Sequence, residues 1–173
     1  MERSVADRRN AIAAEVPRLK RYACALIRDR READDLVHDC IVRALANLSG
    51  WRESDSPRQW LFTIMHNIHI DHVRAQARSP VHVHFDDSHD VLGGMRPSDD
   101  VTRHEINTAL SSLPLEQRQC VLLIGLEGLS YAEAAAVLGV PTGTVMSRLS
   151  RGRERLRDLL DRDRERPTLR RIK

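Results

Sequence analysis

The sequence predicts an all-helical protein with two small helical domains joined by a flexible linker, the second domain carrying a helix-turn-helix. Apolar residues recur at the three- and four-residue spacing of amphipathic helices along most of the 173 residues. The chain is 41% hydrophobic but only 3% aromatic, as expected of small helical units built on leucine, valine, isoleucine and alanine. Residues 79–103 are rich in proline, glycine, aspartate and serine, so they predict the linker between domains at 1–78 and 104–173.

Three helices are predicted in the first domain. The first ends at the charged residues 28–31, and the second covers about residues 32–48. A polar connector that contains Trp51 follows, and Ser56, which precedes a proline, caps a third helix over about residues 57–78. The residues predicted to face the core are Ile12, Val16, Leu19, Ala23 and Leu26, then Ala33, Leu36, Val37, Cys40, Ile41, Ala44 and Leu45, then Trp60, Leu61, Ile64, Ile68 and Val73.

The second domain is predicted to surround its helix-turn-helix with further helices. One helix begins near His104, and Pro114 opens the next. The core-facing residues predicted for these helices are Ile106, Ala109, Leu110 and Leu113, then Val121, Leu122, Leu123 and Leu126, and finally Leu156, Leu159 and Leu160. Together they would close a small helical bundle.

Residues 128–153 are interpreted as two helices and a tight turn. Ser130 can cap the first helix, and Gly139 lies where a chain leaves a helix in the left-handed conformation. Pro141 opens the second helix, where the hydroxyl of Thr142 can act as a cap. The residues predicted to pack inward are Ala134, Val137, Leu138, Val145 and Leu149.

The outward side of the second helix combines short polar side chains with guanidinium groups. Its members are Thr144, Met146, Ser147, Arg148, Ser150 and Arg151. Such a helix suits the DNA major groove, where arginine binds guanine edges or phosphates. A packed helical hairpin with a solvated arginine face is the alternative on shape alone.

Charge and motifs exclude several function classes. The formal net charge is +3, while residues 151–173 hold ten Lys or Arg and five Asp or Glu, as a phosphate-binding surface would require. Ser130 lies in GLSYA rather than in a Gly-x-Ser-x-Gly elbow, and there is no phosphate loop, so no enzyme and no cofactor are expected. The chain has no membrane-length apolar run and no signal-peptide core, which predicts a cytoplasmic protein.

Cysteine and histidine spacing gives little support for a metal site. Cys24, Cys40 and Cys120 are widely spaced and are interpreted as small core residues. The histidines recur at 66, 69 and 72 and again at 82, 84 and 89, without the tight spacing that metal chelation requires. We therefore expect solvated or DNA-facing histidines rather than metal ligands.

The second domain resembles the promoter-binding region 4 of bacterial extracytoplasmic-function (ECF) sigma factors. The matching positions are Leu113-Pro114, Arg118, Gly128, Ser130-Tyr131, Glu133 to Ala135, Leu138 to Pro141, Gly143 to Val145, Ser147-Arg148, Arg151 and Arg153. This many matches at fixed spacing are hard to obtain from a generic hairpin. Met146 and Ser150 depart from common family members, and they affect which minus-35 sequence would be read.

The first domain resembles region 2 of the same family. The matching positions are Ala33 to Val37, Trp60 to Phe62, Ile64, Asn67, Ile70-Asp71 and Arg74. The two regions occur in the family's order and cover about three quarters of the chain, with 79–103 as the linker between them. The resemblance implies a sigma factor that directs promoter-specific transcription initiation with core RNA polymerase and that an anti-sigma factor controls.

The resemblance also implies three groups of site residues. Those for minus-35 duplex DNA are Thr144, Met146, Ser147, Arg148, Ser150, Arg151 and Arg153. Those for the melted minus-10 strand are Arg43, Asn47, Trp51, Asn67, Asp71 and Arg74, although Trp51 could pack over the bundle, Asn67 could cap a turn and Arg43 could be a solvated charge. Those for core polymerase are Asp34, Asp35, His38 and Asp39, of which the first two could also serve the helix dipole.

Two other functions are open at this point. A sigma-like decoy would sequester an anti-sigma factor without starting transcription, and it would be expected to have lost base-contacting residues such as Asn67 and Arg151. A conventional helix-turn-helix regulator would require a dimerisation helix and a ligand domain. The chain has neither heptads nor an obvious ligand pocket.

Overall fold

The computed structural model describes residues 4–51, 56–78 and 97–165, with the side chains of the last range described from 104 to 162. Every element in these ranges is helical, which confirms the predicted fold class. The α-helices are α1 Val5–Leu26, α2 Arg30–Ala46, α3 Pro57–Arg78, α4 Pro97–Ser111, α5 Leu115–Val121, α6 Tyr131–Leu138 and α7 Thr142–Glu165. A 3-10 turn, Leu48–Gly50, follows α2, and a π-helical segment, Leu122–Leu126, follows α5.

Helices α1, α2 and α3 enclose the core of the first domain. Tyr22 packs edge-on against Phe62 with ring centroids 5.1 Å apart, and both side chains are buried. Most of the predicted core residues are buried or half-buried, but Leu45 and Val73 are 42% and 37% exposed. Those two predictions are wrong because both residues lie near the C-terminal ends of their helices, and residues 71–78 are exposed without exception.

Side-chain caps fix where the first two helices begin. Ser4 forms a capping box with Asp7, in which each side chain accepts a hydrogen bond from the other residue's backbone N–H. Asp29 caps α2 by accepting from the N–H groups of Arg31 and Glu32, at 2.7 and 3.0 Å. The predicted break at the charged stretch is confirmed, and the cap explains it.

The second domain begins earlier than expected and contains a π turn. Helix α4 starts at Pro97, inside the predicted linker, rather than near His104. After α5, the Glu127 N–H donates to the Leu122 carbonyl at 3.0 Å, a span of five residues. This extra residue rotates the helix register, so Leu126 is 37% exposed and Glu127 is buried. The prediction that Leu126 faces the core is therefore wrong, and so is that for Ile106 of α4, which is 38% exposed.

The two helical domains contact each other. The Arg21 guanidinium binds the buried Glu127 carboxylate through two bonds, Nε to Oε1 at 3.0 Å and Nη2 to Oε2 at 2.8 Å. Arg118 donates to the Leu26 carbonyl at 2.8 Å. The sequence predicts a linker long enough for the domains to lie far apart, and the structure shows them packed. The linker residues 79–96 lie outside the described residues.

We expect Arg21→Ala to lower the free energy of unfolding by about 2 kcal/mol, because the buried Glu127 carboxylate loses both bonds to Arg21 and keeps only the more distant Arg18 guanidinium, at 4.0 Å, among its ion pairs in the described residues. The bonded Glu127 also raises the pKa of Arg21. Arg21 is itself 36% exposed, so water can relieve part of the penalty. Denaturant unfolding measures the change.

The control for this prediction is Lys20→Ala, which removes an exposed neighbouring cation and should change stability by no more than about 0.5 kcal/mol. Adding Glu127→Gln to Arg21→Ala should recover part of the loss, because a neutral amide needs no counter-charge. Equal stabilities for Arg21→Ala and the Lys20 control would contradict the role of the Arg21–Glu127 pair.

Candidate nucleic-acid interface

Caps and a left-handed glycine shape the helix-turn-helix. The Ser130 hydroxyl accepts from the Glu133 N–H at 3.2 Å, and the Glu133 carboxylate accepts from the Ser130 N–H at 2.8 Å. The Ser130 N–H and hydroxyl both donate to this carboxylate and hold the pKa of Glu133 below its usual range. Gly139 ends α6 with φ +64°, a conformation that favours glycine. The predictions for Ser130 and Gly139 are confirmed, whereas α7 begins one residue after Pro141, at Thr142.

Two buried side chains anchor the second helix of the motif, α7, in the hydrophobic core. Val145 and Leu149 are 0% and 2% exposed, as the sequence predicts. On the outward side, the exposed members of the minus-35 group are Met146, Ser147, Ser150, Arg151 and Arg153, and the half-buried ones are Thr144 and Arg148. A rigid helix thus presents hydroxyl and guanidinium groups on one side, as base-edge and phosphate binding requires.

A cavity beside α7 extends this surface beyond the predicted residues. Its volume is about 430 Å³, and it is lined by Tyr131, Met146, Leu149, Ser150, Arg153, Glu154 and Arg157. Tyr131 is 40% exposed and comes from α6. Tyr131 and Arg157 were not predicted as site residues, although Arg157 follows Arg153 at the four-residue spacing that marks one helical face.

Arg148 is one of the two half-buried members of the minus-35 group. Its Nη2 atom lies 4.0 Å from Oε1 of Glu116 on α5, and its side chain is 29% exposed. Because Glu116 is 64% exposed, this contact is weak and leaves the guanidinium free to turn toward a phosphate.

The residues of the predicted minus-10 group lie on α2, on α3 and in the connector between them. Asn67, Asp71 and Arg74 are exposed and follow the spacing of one α3 face. Arg43 and Asn47 are exposed at the end of α2, where the Asn47 amide donates to the Arg43 carbonyl at 2.9 Å. This bond uses one of the two N–H donors of the amide, so a base contact by Asn47 could use its Oδ1 acceptor or its second N–H.

Trp51 differs from the rest of the minus-10 group because it is buried. Its side chain is 2% exposed and stacks on Trp60, with ring centroids 5.6 Å apart and planes inclined by 14°. A ring covered in this way cannot offer its face to an unstacked base. The structure thus favours the packing role for Trp51 over the predicted base contact.

The predicted polymerase-binding residues form an exposed face of α2. Asp34, Asp35, His38 and Asp39 are all exposed. The same face continues toward the helix end with the exposed apolar residues Val42 and Leu45, at 51% and 42%. Sequence reasoning placed Leu45 in the core and did not single out Val42. Their exposure makes this face acidic at one end and apolar at the other.

The sequence predicts solvated or DNA-facing histidines, but the histidines of α3 are not all solvated. His69 is 8% exposed, and burial, reinforced by His66, His72 and Arg118, lowers its pKa to about 4. Burial also lowers the pKa of His66, which lies 3.3 Å from Gln119 of the second domain. The prediction is wrong for these two because α3 also packs against the second domain. In the part of the chain that the structure describes, no three His, Cys, Asp or Glu residues are grouped to hold a metal ion.

Protein-family models match a stretch in each half of the chain. Residues 103–156 match the model described as sigma-70, region 4, and residues 12–66 match the sigma2 domain of PhyR. The ECF RNA polymerase sigma factor EcfG of Rhodopseudomonas palustris is 36% identical over 156 residues, which is 88% of this chain and 84% of that protein.

Solved structures agree with this comparison. The sigma factor RpoE of Bartonella quintana, in complex with the anti-sigma factor NepR, has a TM-score of 0.76 and 31% identity, covering 88% of this chain and 95% of that one. CnrH, in complex with the cytosolic domain of CnrY, has a TM-score of 0.68 and 25% identity, covering 92% and 91%. Among the residues that the structure describes, no helix is long and apolar enough to cross a bilayer.

Proposed function

We propose which part of promoter recognition each domain performs in this chain, which belongs to the ECF sigma factors of the sigma-70 family and directs transcription initiation. Residues 1–78 act as region 2, which binds core RNA polymerase and traps the melted minus-10 strand. Residues 104–173 act as region 4, which reads the minus-35 element as duplex. The sigma factor itself performs no catalysis, and it acts in the cytoplasm with the polymerase.

The observation that carries this proposal is the outward surface of α7. Val145 and Leu149 fix the helix from within, while Ser147 and Arg151 are exposed on it. A decoy that only sequesters an anti-sigma factor has no need of such a surface. Exposed guanidinium and hydroxyl groups on a rigid helix are what major-groove recognition uses.

The proposed strand-trapping surface comprises exposed polar groups of α2 and α3. Asn67 supplies hydrogen bonds to a base edge, while Arg43 and Arg74 attract the phosphates. Trp51 contributes indirectly, by anchoring the connector through its stack on Trp60.

Promoter binding requires the two packed domains to separate. The minus-35 and minus-10 elements lie about 25 base pairs apart, or about 85 Å of duplex at 3.4 Å per base pair. A compact chain of 173 residues has a radius of gyration of about 16 Å and so a diameter of about 40 Å. The contacts of Arg21 with Glu127 and of Arg118 with Leu26 would then break.

An anti-sigma factor is the proposed partner of the packed form. The RpoE structure, which is similar to this chain, contains the anti-sigma factor NepR. A partner that stabilises the packed arrangement would keep the two DNA-binding surfaces from binding one promoter together. Inhibition would then depend on the contacts of Arg21 with Glu127 and of Arg118 with Leu26.

Asp35→Arg tests the proposed polymerase-binding face. Reversing an exposed charge on the α2 face should weaken binding to core polymerase about tenfold, because a complementary surface becomes repulsive. Titration of labelled protein with core polymerase measures the change. Asp158→Arg reverses an exposed carboxylate of the other domain and should leave the affinity within about twofold. An unaltered binding isotherm for Asp35→Arg would place the polymerase on another face.

A further inference from the structure

We propose that Arg8 is a positioning residue that holds the 47–51 connector in the conformation that captures the melted promoter strand. The Nη1 atom of Arg8 donates to the Leu48 carbonyl at 2.6 Å and to the Trp51 carbonyl at 3.3 Å. One guanidinium nitrogen of α1 thus joins carbonyls at both ends of the 3-10 turn. The inference rests on the proposed function of region 2 and assigns a role to a residue outside its DNA-contacting surface.

The start of α1 places Arg8 at this position. The Ser4–Asp7 capping box fixes the first turn, and the Arg8 N–H donates to the Ser4 carbonyl at 3.0 Å. Arg8 therefore extends from an ordered helix rather than from a frayed end. Its side chain reaches Leu48 and Trp51 of the connector, which follow Arg8 by 40 and 43 residues in the chain.

Contacts of three kinds, a backbone bond, a ring stack and a side-chain bond, help to fix the shape of the connector. The Gly50 N–H closes the turn on the Asn47 carbonyl at 2.9 Å, Trp51 stacks on Trp60, and Arg8 binds from the side. The Leu48 carbonyl accepts from both Arg8 and the Trp51 N–H, which uses its two lone pairs. The connector is consequently held before DNA arrives.

This arrangement matters because Asn47 belongs to both the connector and the proposed strand-binding surface. A preordered backbone loses less conformational freedom when a strand binds, so affinity is gained without a further contact. Without Arg8, the turn that carries Asn47 loses its side-chain link to α1 and loosens.

The chain provides its own probe of the connector. It contains two tryptophans, Trp51 and Trp60, and both belong to the stack at this site. In the free full-length protein, Arg8→Ala should shift tryptophan emission to longer wavelength and steepen acrylamide quenching. Arg8→Lys keeps a cationic donor that can reach the same carbonyls and should restore most of the wild-type spectrum.

Strand capture is measured on the holoenzyme. The probe is a fluorescein-labelled single strand that carries the minus-10 element of a promoter selected by run-off transcription. Arg8→Ala should weaken its binding about tenfold, Arg8→Lys should recover most of that loss, and core polymerase affinity should not change. Arg9→Ala, which removes an exposed neighbouring charge, is the matched control and should match the wild type in both measurements.

The outcomes separate this inference from the function on which it rests. Weaker strand binding with an unchanged tryptophan spectrum would overturn it, since Arg8 would then contact DNA itself. A changed spectrum with unchanged strand affinity would overturn it as well, since the connector would lie outside the site. Failure of the wild-type holoenzyme to bind the strand would contradict the proposed function of region 2, and this inference with it.

Discussion

Replacing Arg148 and Arg151 together by alanine should weaken binding to promoter duplex about a hundredfold. Each arginine in the major groove contributes about 1–3 kcal/mol, and a tenfold change in affinity corresponds to about 1.4 kcal/mol. Arg151 is exposed on the outward face of α7, and only a weak contact with Glu116 restrains Arg148. Fluorescence anisotropy with a minus-35 duplex at fixed moderate salt measures the change.

The matched control for this double substitution removes the same net charge, two arginines, from the other domain. Arg30 and Arg31 are exposed in the first turn of α2, which is far from α7 in the sequence. The Arg30→Ala, Arg31→Ala protein should bind the duplex within about threefold of the wild type, because it loses only exposed, salt-screened charge of the first domain. Equal losses in the two double variants would mean that affinity follows net charge and that α7 does not read the element.

Gly152→Val should lower the free energy of unfolding of the second domain by about 3 kcal/mol, at the upper end of the usual cost of overpacking. A Cβ atom at this position would lie 2.9 Å from Cγ2 of Val121 and 3.3 Å from the Gln117 carbonyl oxygen. Both contacts come from α5, whose backbone and β-branched side chain cannot easily move aside. Denaturant unfolding measures the loss.

Gly143→Ala is the control for Gly152→Val, because it also adds a side chain to a glycine of α7. No atom lies within 4 Å of a Cβ built at Gly143. It should leave stability unchanged or raise it by up to about 1 kcal/mol, as alanine favours the helix. A Gly152→Val protein as stable as this control would show that α5 and α7 do not pack as described.

Local signals in the sequence were sufficient to predict the helix-turn-helix. Ser130 and Gly139 act on their own neighbours, and Val145 and Leu149 share a face that any α-helix would create. The boundaries of α3 were also predictable, because Ser56 and Pro57 mark its start within the sequence. These features depend on a few adjacent residues and therefore need no knowledge of tertiary packing.

The features that the sequence did not predict depend on distant partners. Glu127 is buried because Arg21, 106 residues earlier in the chain, neutralises it. Trp51 is covered because Trp60 offers a ring at stacking distance. His69 is buried by contacts that include the second domain, and the π turn that exposes Leu126 has no local marker. In each case tertiary packing overrides the local polarity.

The most direct test of the central claim is run-off transcription on a genomic promoter library, with purified core RNA polymerase, in the presence and absence of this protein. Transcripts that start at discrete new sites only in its presence are the predicted result, and their upstream sequences would give both promoter elements. Tight binding to core polymerase without transcripts would instead point to the decoy. No binding to core polymerase at all would contradict the assignment of this chain as a transcription initiation factor.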